Sequence, residues 1–92
     1  MTRAIVATLL ALTMTPGVRY RDWRWKYIAR TRRDLDGRRC TRCRARGVLL
    51  NVHHRRQVSA GGSHFLWNLR SLCQACHELA HDRDLNRNGV RG

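Results

Sequence analysis

Four cysteines and five histidines give this 92-residue chain its chemistry. The cysteines form two pairs, Cys40/Cys43 and Cys73/Cys76, each with two residues between. Such pairs hold disulfides in exported proteins and zinc in intracellular ones, and the CxxC spacing favours zinc. Cys40 and Cys43 flank a tight turn in a compact knuckle, Arg39 to Gly47. Cys73 and Cys76 stand at i and i+3 of an expected helix, so both sulfurs leave one side of it. Two such pairs close a tetrahedral site with no open position, the structural type. The 29 residues between Cys43 and Cys73 leave room for an inserted hairpin. Two free buried pairs, or disulfides in an exported protein, are the alternatives.

The histidines are His53, His54, His64, His77 and His81. His77 and His81 are i and i+4 on the last expected helix, so their rings share a face and can bind one ion. His53 and His54 are adjacent at the end of an expected strand, where neighbours point to opposite faces. One as ligand and the other as base is the natural division. A neutral imidazole with an ordinary pKa of about 6.5 is a suitable base at physiological pH. His64 fits neither cluster and reads as a surface residue.

These residues need elements to position them. Residues 1–18 read as an apolar, poorly ordered arm ended by Pro16-Gly17, with a packing helix or a start assigned too far upstream as alternatives. Ala4 to Thr13 is too short to span a membrane, which takes about 20 residues, and makes a poor signal peptide. From Arg19 to Arg33 the spacing of Tyr20, Trp23, Tyr27 and Ile28 predicts a helix with its aromatic side on the core and its basic side outward. Val48 to His53 predicts a strand, and a short second strand is expected to return within Arg55 to Trp67, past the bend at Gly61-Gly62. Asn68 is a good N-cap for a helix carrying Leu69, Leu72, Cys73, Cys76 and Ala80 to about His81. The expected domain is 19–82, and residues 83–92 read as a flexible tail.

The formal charge is +13, and 14 of the 19 basic residues lie between Arg19 and Arg56. Codon bias explains arginine over lysine but not the excess of base over acid. The balance suggests a polyanionic partner, nucleic acid being the commonest, with a nonspecifically sticky surface as the alternative.

Residues 50–77, LNVHHRRQVSAGGSHFLWNLRSLCQACH, resemble the HNH endonuclease motif: paired His, a Gly-Gly loop, Asn-Leu, then Cys-x-x-Cys-His. The signature positions are His54, Asn68 and His77, separated by 13 and then 8 residues. The knuckle Cys40-x-x-Cys43 and the preceding helix with Trp and Arg resemble the zinc-stapled branch, and the likeness covers roughly residues 20 to 82. Arg55, Arg56 and Gln57 depart from the usual apolar-Pro continuation.

The resemblance implies an α+β fold, a small ββα-metal (His-Me finger) module with a preceding basic helix. It implies a metal-dependent DNA endonuclease hydrolysing phosphodiesters. His54 is the implied general base, and Asn68 braces the loop and orients it. His53, His77 and, by likeness to the colicin-nuclease branch, His81 are the implied ligands of one catalytic divalent ion (Mg²⁺, Mn²⁺, Ni²⁺ or Zn²⁺) acting as a Lewis acid. Cys40, Cys43, Cys73 and Cys76 are the expected ligands of a structural Zn²⁺. Double-stranded DNA is the implied partner, with phosphate contacts from Arg55, Arg56, Arg70, Arg24, Lys26 and Arg30 that position without reading sequence. A monomer or weak dimer, cytoplasmic and encoded by a phage or mobile element with partner proteins of that origin, completes the expectation. A non-catalytic zinc-containing DNA-binding module and an exported nuclease toxin are the alternatives.

Overall fold

The computed structural model describes residues 2–14 and 22–87. Two helices, α1 (Arg3–Leu12) and α2 (Trp23–Leu35), precede a two-stranded antiparallel sheet of β1 (Leu50–His54) and β2 (Leu69–Cys73), and the helix α3 (Gln74–Arg87) follows at once. The strands and α3 make the ββα unit of an α+β fold.

The segment expected as a poorly ordered arm contains α1, which packs on α2. Ala7 and Ala11, one helical turn apart, are buried with Trp25, Ile28, Ala29, Leu66 and Leu69 in one core cluster. Small residues on α1 let the two helices approach closely. Asp22 caps α2 by accepting from the Arg24 amide at 2.8 Å. The Arg24 guanidinium returns two bonds to Asp22 and reaches the Thr13 carbonyl at 3.2 Å, joining the two helices. Arg24 therefore has a structural occupation that its expected role on DNA did not include. Its hydrogen bond to the Asp22 side chain, with that of its backbone amide, holds the Asp22 carboxyl at about 2.

Trp23 and Trp25 divide differently from expectation. Residues two apart on a helix leave in nearly opposite directions. Trp25 takes the core with Ile28 and Ala29, and Trp23 stands 66% exposed. The early part of that expected helix, residues 19–21, lies outside the described residues.

The second strand is the larger correction. Leu69–Cys73 is β2, not the first turns of a helix, and the pairing runs Leu50↔Cys73 through His53↔Arg70 to His54↔Leu69. The expected return strand within 55–67 is replaced by loop and two 3-10 turns, Val58–Ala60 and Leu66–Asn68. Asn68 ends the second turn instead of capping α3. α3 itself runs on to Arg87, beyond the expected end near His81, and residues 88–92 lie outside the description.

Asp36, at the end of α2, fastens the helix to the sheet. It accepts from the Ser71 amide at 2.9 Å and pairs with Arg32 at 2.9 Å in a mostly buried setting. The cysteine knuckle docks on the same strand, where the Thr41 amide and hydroxyl both donate to the Ser71 carbonyl at 2.9 Å.

Candidate metal centre and histidine cleft

The strand register places one cluster of chemistry at each end of the hairpin. Cys73 closes β2 opposite Leu50, and Cys76 follows on the first turn of α3. The two thiols are therefore a strand end and a helix start, not two positions on one helix. They still converge with the knuckle pair, because the knuckle is bonded to Ser71. The sulfurs of Cys40, Cys43, Cys73 and Cys76 all lie within 4.8 Å of one another, the one such group among the described residues. Cys43 Sγ and Cys73 Sγ are 3.7 Å apart. Disulfide sulfurs are about 2 Å apart. The edge of a tetrahedron with metal–sulfur bonds of about 2.3 Å is about 3.8 Å. The Cys43 amide also points at Cys40 Sγ, at 3.4 Å.

The four thiols do not titrate alike. Burial pushes the Cys40 thiol up, but the backbone amides of Cys43, Cys73 and Arg42 outweigh it and hold that thiol at about 6. Burial and the hydrogen bonds of the neighbouring thiols push Cys76 up to about 12. One sulfur is ready to carry charge and its neighbour resists adding a second, which a metal ion would reverse.

At the opposite end, His53 and His54 finish β1, and both line a cleft of about 550 Å³ with His77 and His81 of α3. The His53 and His77 rings meet edge to face with centroids 5.5 Å apart. Two imidazoles sharing one ion, with metal–nitrogen bonds of about 2.0–2.1 Å, place their centroids roughly 4.5–6 Å apart. This pair fits an ion. Among the described residues no three histidines come as close together as the four cysteines do, and His81 borders the cleft on α3.

His54 turns to other partners. Its ring stacks on Trp25, with centroids at 5.1 Å and planes 13° apart, and its Nε2 lies 3.0 Å from Nδ1 of His64. His64 is 6% exposed, so its expected place on the surface is overturned. The loop explains why. Gly61 takes φ +88°, and a Cβ on Gly62 would stand 1.9 Å from the Arg56 carbonyl oxygen, so both glycines are needed to fold the chain back. Asn68 holds the fold-back closed. Its Oδ1 accepts from the Arg56 amide at 2.9 Å, and its Nδ2 donates to the carbonyls of Arg56 at 3.1 Å and Ser63 at 2.7 Å. The brace on the loop is thus a physical feature of Asn68, and it acts one residue from His64.

Burial, with the nearby His64 and His53, holds His54 down at about 4, and burial lowers His64 as well. A base whose folded pKa lies below its ordinary value stabilises the fold above about pH 6.5 and loses that stabilisation as pH falls toward 4. For His54 the loss between pH 7 and pH 5 is about 2 kcal/mol. Urea unfolding at the two pH values is expected to show that loss in the wild type and less of it in His54→Gln, which carries no titrating ring.

Of the expected phosphate contacts, Arg55, Lys26 and Arg30 are exposed, and Arg56 is exposed with its Nε bonded to the Ala60 carbonyl at 2.7 Å. Arg70 is half-buried and pairs in register with His53. Sequence reasoning passed over Arg33, which donates to the Leu50 carbonyl at 3.1 Å and lines the histidine cleft.

Residues 40–83 match the family model described as HNH endonuclease. The chain carries an HNH domain. No curated protein and no solved structure matches the chain. The HNH domain ties the protein to nucleic acid, its four cysteines are set to bind a metal, and no helix among the described residues is long and apolar enough to cross a membrane.

Proposed function

We propose that the protein is a metal-dependent DNA endonuclease in which His54 is the general base and the cysteine quartet holds a structural zinc ion. One observation carries the proposal: His54 from the sheet and His77 from α3 line the same cleft, on the segment that matches the HNH family.

The base needs a lone pair turned away from its anchor. With Nε2 of His54 facing His64 at 3.0 Å, the nitrogen left for water is Nδ1. In this reading His54 donates its Nε2 proton to Nδ1 of His64, and His64 carries its own proton on Nε2, a buried atom without a hydrogen-bond partner among the described residues. The Trp25 face fixes the ring plane, and the Asn68 brace fixes the loop that presents His64. At neutral pH His54 is unprotonated and ready to take the proton of an attacking water.

His53 and His77 are the residues to hold a catalytic divalent ion, with His81 one turn further along α3 as a third ligand. Such an ion supplies Lewis-acid stabilisation to a phosphodiester. Arg55 and Arg56 flank the base and Arg33 borders the cleft, so cations stand beside the reacting phosphate. DNA phosphates are the partners these side chains fit, in a cell harbouring a phage or mobile element.

Nicking of supercoiled plasmid in Mg²⁺, Mn²⁺ or Ni²⁺ by wild type, but not by His54 variants, is the expected outcome, and equal behaviour of the two sinks the proposal. Duplex binding should also weaken steeply with salt. If about five cations neutralise phosphates, log affinity against log salt has a slope of about −4 to −5. A flat titration by fluorescence anisotropy contradicts phosphate contact.

A further inference from the structure

Trp23 begins a stripe along α2 that the cleavage chemistry does not use. Trp23, Lys26, Tyr27, Arg30 and Arg33 follow at spacings of three and four, so they share one face of the helix. With Arg38 they line a groove of about 420 Å³ that contains no acidic side chain. Asp22 and Asp34, the carboxylates adjacent in sequence to Trp23 and Arg33, are engaged by Arg24 and by Arg3 and Arg38. Lys26 and Arg30 are exposed, with no hydrogen bond or ion pair among the described residues. Arg33 lines both this groove and the histidine cleft, so the two share a cation at their border. From Trp23 to Arg33 the helix rises about 15 Å.

Cations alone would suit any polyanion. The aromatic side chains narrow the choice. Trp23 offers a large apolar face to solvent at one end of the stripe, with the Tyr27 ring beside it lining the same groove. A duplex keeps its bases paired and offers such a ring nothing to stack on from outside. An unpaired base does, and aromatic faces interleaved with cations are how single strands are held without sequence preference.

We infer that the α2 groove is a track for a single-stranded stretch of DNA leaving the cleft, with Trp23 stacking on an unpaired base and Lys26, Arg30 and Arg33 on phosphates. The inference rests on the DNA-cleavage proposal for its direction, since the strand runs from the cleft past Arg33. It implies a preference for substrates with an unpaired segment beside the scissile bond, such as flaps, gaps and forks.

The test is binding of a fluorescein-labelled 16-nucleotide single strand and of the matching duplex to the zinc-loaded protein, with no other divalent ion. Trp23→Ala is expected to weaken the single strand about tenfold or more and the duplex by less than about twofold, and Trp23→Phe should retain most of the affinity. Trp67→Ala, which removes a similarly exposed ring that does not line the groove, should change neither. Unchanged single-strand affinity in Trp23→Ala, or equal loss on single strand and duplex, overturns the inference. Arg30→Gln gives an independent check, with single-strand affinity expected to fall and a value equal to wild type counting against the track. Failed plasmid nicking with strand selectivity intact removes the nuclease proposal alone. Intact nicking with selectivity absent removes the track alone.

Discussion

His54→Gln is expected to lower plasmid nicking by roughly a hundred- to ten-thousand-fold, the range that a positioned general base contributes. The substitution keeps a side chain of comparable length against Trp25 and His64, so the fold survives and circular dichroism should match wild type. Alanine at the same position removes the ring from between Trp25 and His64 and costs stability as well. A loss of rate in both variants, with duplex affinity and zinc content unchanged in His54→Gln, assigns the effect to proton transfer. A loss of affinity with the rate at saturation intact assigns it to binding. The free-protein pKa of about 4 adds a second signature: the acid limb of the rate profile set by His54 should lie below the ordinary imidazole value of about 6.5.

His64 sharpens the same experiment. In the proposed mechanism its contact with Nε2 leaves Nδ1 of His54 as the nitrogen for water. Nothing in the local sequence announced that role, since His64 lies ten residues from its partner and reaches it only because Gly61 and Gly62 reverse the chain. The Gly-Gly pair was visible as a bend, but the place to which the bend returned the next side chain was set by Asn68 bonding across the loop to Arg56 and Ser63.

The cysteine pairs, by contrast, were legible from spacing, and their convergence in space follows from one docking contact between the knuckle and Ser71. The elements carrying them were not. Leu69, Leu72, Cys73 and Cys76 satisfy a helical period, and a five-residue strand is too short to contradict it. Pairing with β1 decides the matter, and pairing is information from twenty residues away. Trp23 and Trp25 show the same limit within one helix. Either could join an apolar stripe, and the core that took in Trp25 with Ile28 and Ala29, where Trp25 packs on His54 and His64, left Trp23 outside.

Removal of metal from the quartet is expected to unfold the ββα half of the protein. The second core cluster consists of Cys40, Leu50, Leu72, Cys76 and Ala80, with Cys73 packed against it. Three aliphatic side chains are few to hold a strand end, a knuckle and a helix start together, so the cluster is expected to depend on an ion held by the four sulfurs. Structural zinc supplies apparent free energies of about 10–16 kcal/mol in small domains, against a whole-domain stability of about 5–15 kcal/mol. Purified protein should contain one tightly held zinc per chain. A strong chelator, or Cys76→Ser, should abolish the strand signal and the protection of β1 and β2 amides from exchange. The packing of α1 on α2 buries Ala7, Ala11, Ile28 and Ala29 and can retain helical signal after the sheet is gone. The expected result is therefore a two-stage loss, with the sheet leaving first. Nicking should disappear with the first stage, because β1 carries His53 and His54 and α3 carries His77. A metal-free chain that keeps its hairpin would mean that the four cysteines stabilise the fold without an ion.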